Sequence, residues 1–253
     1  MTAGLAELAY QLSWPQAVVT GSTIGATLLT QGGTEVAASS YATASVTPAA
    51  NHLILLWVSA NPDIPTSVTG CNLTWVLAAT QALGNSDVFL YRALGAAPTT
   101  GAVTIAYAGN QFSVVWIMVD HSGTDTSGTN GSGAIVQTAG NNNGGAAATS
   151  ITVTFGSGIG AGNAVAGGFS HGTASQAKTA GAGYTKLGEF SAGGGEGTFS
   201  HEWRPDGTTT PSMSWATSDV CWALAVEIKA AQGAPYRRKT FRSFEPVNRS
   251  SSW

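Results

Sequence analysis

The chain has 253 residues, 43% of them apolar and only 9% charged, with a formal net charge of −3. Ordinary soluble domains carry about 25% charged residues, so its 33 glycines and its hydroxyl and amide side chains must form the neutral polar surface instead. This composition is unlike that of a busy cytosolic enzyme, and no apolar run approaches the ~20 residues of a membrane-spanning helix.

In chain order, residues 1–34 combine a helix-compatible piece, Leu5 to Leu12, with a Thr/Gly/Leu stretch ending at Gly32-Gly33, and they are expected to form an N-terminal arm. Met1-Thr-Ala-Gly has neither the basic start nor the long apolar run of a secretory signal. From Glu35 onward, short runs of β-branched and aromatic residues alternate with Gly, Pro, Asn and Asp. These runs predict strands over 38–46, 52–59, 72–80, 86–93, 101–108, 112–120, 134–138, 150–155, 163–170, 184–190, 198–204, 211–216 and 220–229. Ile151, Val153 and Phe155 alternate with Thr152 and Thr154, as in a half-buried strand. Leu53 to Val58 and Val114 to Val119 are apolar throughout, as in central strands covered on both faces. Turn chemistry at Gly84-Asn85, Gly109-Asn110 and Pro205-Asp206-Gly207 implies antiparallel pairing. The expected fold is an all-β, antiparallel, jelly-roll-like sandwich over 35–231, with loops at 121–133 and 139–149 and no internal repeat.

Several patterns bear on chemistry. Gly168-Phe169-Ser170-His171-Gly172 matches the G-x-S-x-G elbow of esterases, and Glu189 or Glu196 with His201 would complete a triad. No amphipathic helix follows the serine, however, so a strand end is the expected reading. His52, His121, His171 and His201 lack metal-ligand spacing, and Asp120 with Asp125 is too sparse for calcium. Glu189, Glu196, Glu202 and Glu227 show no glycosidase spacing. Gly156 to Gly162 fails the dinucleotide-binding pattern. No catalytic residue, cofactor or metal is therefore expected. Cys71 and Cys221 could form one disulfide, but their apolar contexts suit buried thiols. Most of the tryptophans should be core, with Trp203 and Trp215 the candidates for stacking on a sugar.

The chain ends in a polarised segment. Residues 1–236 hold twelve acids and five bases, a net of −7, whereas 237–253 hold Arg237, Arg238, Lys239, Arg242 and Arg249 against Glu245, a net of +4. Tyr236, Phe241, Phe244 and Trp253 are interspersed among these charges. Aromatic residues with arginine dominate protein interfaces, so 232–253 is read as a docking arm. Four net charges would give nucleic acid only weak, salt-sensitive binding.

The series Asn51 to Ser59, Leu73 to Ala78, Val88 to Ala93, Val114 to Asp120 and Ala223 to Lys229 resembles the concanavalin-like or jelly-roll modules of tailed-bacteriophage virion proteins. The resemblance spans 35–231 and carries no diagnostic motif. It implies a non-enzymatic virion component made in the host cytoplasm: a capsid decoration subunit, or a neck or tail accessory, that docks on other virion proteins through its arms. A homo-oligomer, with a trimer as first expectation, follows from the habits of such proteins. The alternative is a carbohydrate- or receptor-binding module.

Overall fold

The structure, a computed structural model, describes residues 23–61, 63–84, 86–172, 175–192, 198–207 and 210–232. Among them are no α-helices and two single-turn 3-10 segments, Ser132–Ala134 and Asn143–Gly145. The first half contains β1 (Gly25–Thr34), β2 (Ala38–Ala42), β3 (Leu53–Asn61), β4 (Ser67–Gly70), β5 (Leu73–Thr74), β6 (Val76–Leu83), β7 (Ser86–Ala93), β8 (Val103–Gln111) and β9 (Ser113–Ser122). The second contains β10 (Ile135–Asn141), β11 (Ala148–Thr152), β12 (Ala164–His171), β13 (Thr179–Ala180), β14 (Thr185–Ser191), β15 (Thr198–Arg204), β16 (Ser212–Asp219) and β17 (Cys221–Ile228). The fold is all-β and every ladder is antiparallel.

The strands form four sheets, ordered β1-β9-β3-β7-β6, β2-β8-β4-β5, β10-β17-β12-β15-β14 and β11-β16-β13. Apart from the two-residue β5, which has no counterpart, the second half repeats the first. The strands β10, β17, β12, β15 and β14 occupy the places of β1, β9, β3, β7 and β6, while β11, β16 and β13 occupy those of β2, β8 and β4. The body is two copies of one topological unit, which corrects the expectation of no internal repeat.

Ladder registers extend the match to single residues. Leu53 pairs with His121 and Ala164 with Ile228, so Asp120 and Glu227 hold equivalent places. Asp120 accepts hydrogen bonds from the Ala49 amide at 3.0 Å and shares one with His52 Nδ1 at 2.5 Å. Glu227 accepts from the Gly160 amide at 2.7 Å and Asn163 Nδ2 at 2.6 Å. In each unit one nearly buried carboxylate thus fastens the loop that leads into the central strand, through an amide and a side chain three residues further on.

The layers stack outer, inner, inner, outer, with one core in each gap. Between the inner sheets, Leu53, Leu55, Trp57, Val115 and Ile117 meet Ala166, Phe199, Trp222, Leu224 and Val226. The other face of the first inner sheet, with Ile54, Leu56, Val58 and Met118, packs on Tyr41, Val103 and Ile105. Phe169, Ala223 and Ala225 likewise pack on Ile151, Met213 and Trp215. A strand in an inner layer has no wet face, which is why Leu53 to Val58 and Val114 to Val119 are apolar without interruption. Both runs are buried as expected.

Other boundaries differ from expectation. Gly25–Thr34, assigned to the arm, pairs along β9 as an edge strand, so the sandwich begins before residue 35. Its Thr/Gly-rich sequence suits a partly covered edge. Gly109-Asn110 lies within β8, and the reversal comes at Phe112. The predicted helical piece, Leu5 to Leu12, lies outside the described residues. Cys71 and Cys221 are free thiols in different cores.

Candidate functional site

Of the chemistry considered from sequence, the elbow-like serine is the simplest to place. Ser170 is buried within β12, which pairs with β15 and β17 and runs on through His171 with no strand-to-helix turn. His201 is buried against the Trp57 ring, with centroids 5.5 Å apart, and neither imidazole nitrogen has a hydrogen-bond partner. Glu189 accepts from Ser200 rather than from His201, and Glu196 lies outside the described residues. The Ser170, His201 and glutamate arrangement is therefore not assembled. Trp215 is 7% exposed, with its ring 5.2 Å from that of His171, so it offers no face to a sugar. Trp203 is half-buried and packs edge-on against His121. No group of three or more His, Cys, Asp or Glu suited to a metal occurs among the described residues.

The second unit holds a cluster of ionisable groups that the first lacks. Lys178 is buried, donates from Nζ to the Phe169 carbonyl at 3.2 Å, and is held well below the usual lysine range by burial. Glu189 accepts from the Lys178 amide, Lys186 Nζ and Ser200 Oγ at 2.9–3.0 Å. His171 Nδ1 lies 3.4 Å from Asp219, and burial followed by the charge of Lys178 lowers its pKa to about 4. Burial also raises the nearby Cys221 thiol to about 11. At the equivalent positions the first unit has Ala60 for His171 and Val114 for Cys221. Gln176 fastens this region to β16 by two hydrogen bonds with Thr217. A shallow cleft of about 250 Å³, lined by Ser175, Gln176, Glu189, Ser191 and Thr198, lies alongside. The hydrogen-bonded part of the cluster, Lys178, Lys186, Glu189 and Ser200, ties Lys178 and its segment to β12, β14 and β15.

The two ends of the body differ. At one end, β1 begins opposite Ser122, Thr124 bridges to Ala230, and the Ala231 amide donates to Gly123 O at 2.8 Å. Residues 23 and 232, the two limits of the described body, therefore leave it side by side. Asp125 is held down to about pKa 2 there, chiefly by its hydrogen bond with Lys229, 2.7 Å away, and by Ser127. At the other end lie the turn at Phe112, the β6–β7 turn and, across the inner gap, the end of β10, since Asn142 Nδ2 donates to Ala82 O at 3.0 Å. This end exposes Val36, Ile64 and Phe112 of the first unit and Val220 of the second. Sequence reasoning missed it, because placing a turn at Gly109-Asn110 put Phe112 inside a strand. The predicted docking residues Tyr236, Arg237, Arg238, Lys239, Phe241, Arg242, Phe244, Arg249 and Trp253 lie outside the described residues.

Comparison with protein-family models, curated proteins and solved structures returned no match.

Proposed function

We propose that the chain is a non-catalytic structural subunit of a larger assembly, of the tailed-phage virion kind its strand series resembles, held there by its terminal segments. The observation that carries this reading is the shared exit: the chain enters the body at residue 23 and leaves at 232 from one end, so both terminal segments can engage the same neighbour. The order β1-β9-β3-β7 over β2-β8-β4-β5 supports a jelly-roll assignment, because successive segments cross from sheet to sheet. Decoration, neck and tail-accessory roles all suit such a body.

The test is truncation after Gln232. Residues 233–253 carry five of the ten basic residues and four aromatic anchors. The shortened chain should keep the cooperative melt of the full chain but be missing from purified particles. Incorporation at wild-type occupancy would overturn the reading.

A further inference from the structure

We infer that the exposed tip of the first unit binds the cationic, aromatic C-terminal segment of a second copy, so that subunits join tail to tip. The inference rests on the docking role proposed for that segment and names its partner.

The tip presents three large apolar side chains to water: Val36 at 71% exposure, Phe112 at 68% and Ile64 at 47%. They sit on three different turns fixed to one hub. Gln111 is fully buried; its Oε1 accepts from the Asp63 amide at 2.8 Å, and its Nε2 donates to Asp63 Oδ2 and Gly109 O, each at 3.1 Å. The Tyr41 hydroxyl donates toward Val36 O and Gln111 O at 3.2 and 3.0 Å and accepts from the Ala38 amide at 3.0 Å. The Phe112 amide donates to Asn61 O at 2.8 Å. These bonds hold the apolar groups in place on a framework already ordered, which lowers the entropic cost of binding a partner.

Charge selects the partner. Residues 23–122 contain four acids, Glu35, Asp63, Asp87 and Asp120, and one base, Arg92. Glu35 and Asp63 adjoin Val36 and Ile64, and Asp87 is the second residue of β7 at the same end. Arg92 is at the opposite end, donating to Thr129 O and Asn130 O. The tip is thus apolar and anionic with no cation of its own unit. The matching chemistry in this chain is residues 236–253, with Tyr236, Phe241, Phe244 and Trp253 among five positive charges and one negative. Two identical anionic tips would repel, whereas tail and tip attract and offer aromatic anchors. The second unit does not duplicate the site, because the place of Phe112 is taken by Asp219, a buried carboxylate, and its neighbour Val220 is only 36% exposed. A tail-to-tip contact is heterologous, closing into rings such as a trimer or running on as a filament.

The experiment uses full-length chains in sedimentation velocity. Wild-type protein should self-associate, and more weakly in 500 mM than in 50 mM salt. Phe112→Ser, at an exposed site that leaves the melting temperature unchanged, should weaken association at least about tenfold. A chain with Arg237→Glu, Arg238→Glu and Phe241→Ser should lose it similarly. Mixing the Phe112→Ser chain, which keeps its tail, with the tail variant, which keeps its tip, should restore a one-to-one complex. Self-association by Phe112→Ser at wild-type strength, no self-association by wild type, or no complex in the mixture would each overturn the inference. If Phe112→Ser failed these tests yet still entered particles while the tail variant did not, the tail would dock elsewhere, and the proposed function would stand without this partner.

Discussion

Acidification should weaken the sandwich through buried imidazoles, by an amount that one buried carboxyl partly cancels. His121 is fully buried against Trp203, and burial lowers its pKa to about 3. His171 is lowered to about 4. In the unfolded chain both titrate near 6.5. Below that pH the unfolded state takes up protons that the folded state refuses, so stability falls as pH drops toward the folded values. At pH 5, 1.5 units below 6.5, each histidine costs ~2 kcal/mol, about 4 kcal/mol for the pair. His201, buried and lowered in the same sense, adds to the loss. Glu202 acts oppositely: burial raises its carboxyl to about 7 despite hydrogen bonds from the Gly181 and Ser212 amides. Its cost is present above pH 7 and is relieved as pH falls, returning ~2 kcal/mol by pH 5. Denaturant titrations at pH 7 and 5 should therefore show a loss of at least ~2 kcal/mol at pH 5. His121→Leu should cut that loss by about 2 kcal/mol, while Glu202→Gln should increase it by a similar amount. Greater wild-type stability at pH 5 than at pH 7, or an unchanged acid response in His121→Leu, would refute the reasoning.

Three further substitutions probe the duplicated architecture. A Cβ on Gly168 would lie 2.7 Å from both the Trp57 and Phe199 rings, so Gly168→Ala should cost 1–3 kcal/mol in equilibrium denaturation, and an unchanged midpoint would show that this gap has slack. Asp120→Ala and Glu227→Ala should each cost about 1–3 kcal/mol by stranding loop amides, and a near-zero effect for either in thermal melts would break the equivalence of the two staples.

How much of this was legible in the sequence varied with the residue. The apolar runs in β3 and β9 identified inner-layer strands because large aliphatic side chains fill both adjacent gaps. Their counterpart β12, Ala-Val-Ala-Gly-Gly-Phe-Ser-His, is equally buried but built from small residues that make room for Trp57 and Phe199, so the two halves look unrelated. One trace of the repeat was available: Gly70-Cys-Asn-Leu-Thr74 and Gly181-Ala-Gly-Tyr-Thr185 both precede an inner-sheet edge strand. Edge strand β1 was hidden because Thr and Gly carry little periodic signal, and the two-residue β13 is too short for any. Trp215 could not be told locally from an exposed outer-strand position, since its burial depends on His171 and the inner sheet packing against it.

The contact of Trp57 with Gly168 has a consequence for how such a body can be made. These are the fifth residues of β3 and β12, equivalent positions meeting across the gap between the inner sheets. Two identical chains related by an axis would have to place the same side chain on both sides, either two indoles in one space or two glycines around a void. Joining the units in one polypeptide removes that constraint and lets one side become the knob and the other the socket. The halves are no longer interchangeable: the first accepts the second and rejects a copy of itself, so the first halves of crowded newly made chains are steered away from pairing with one another.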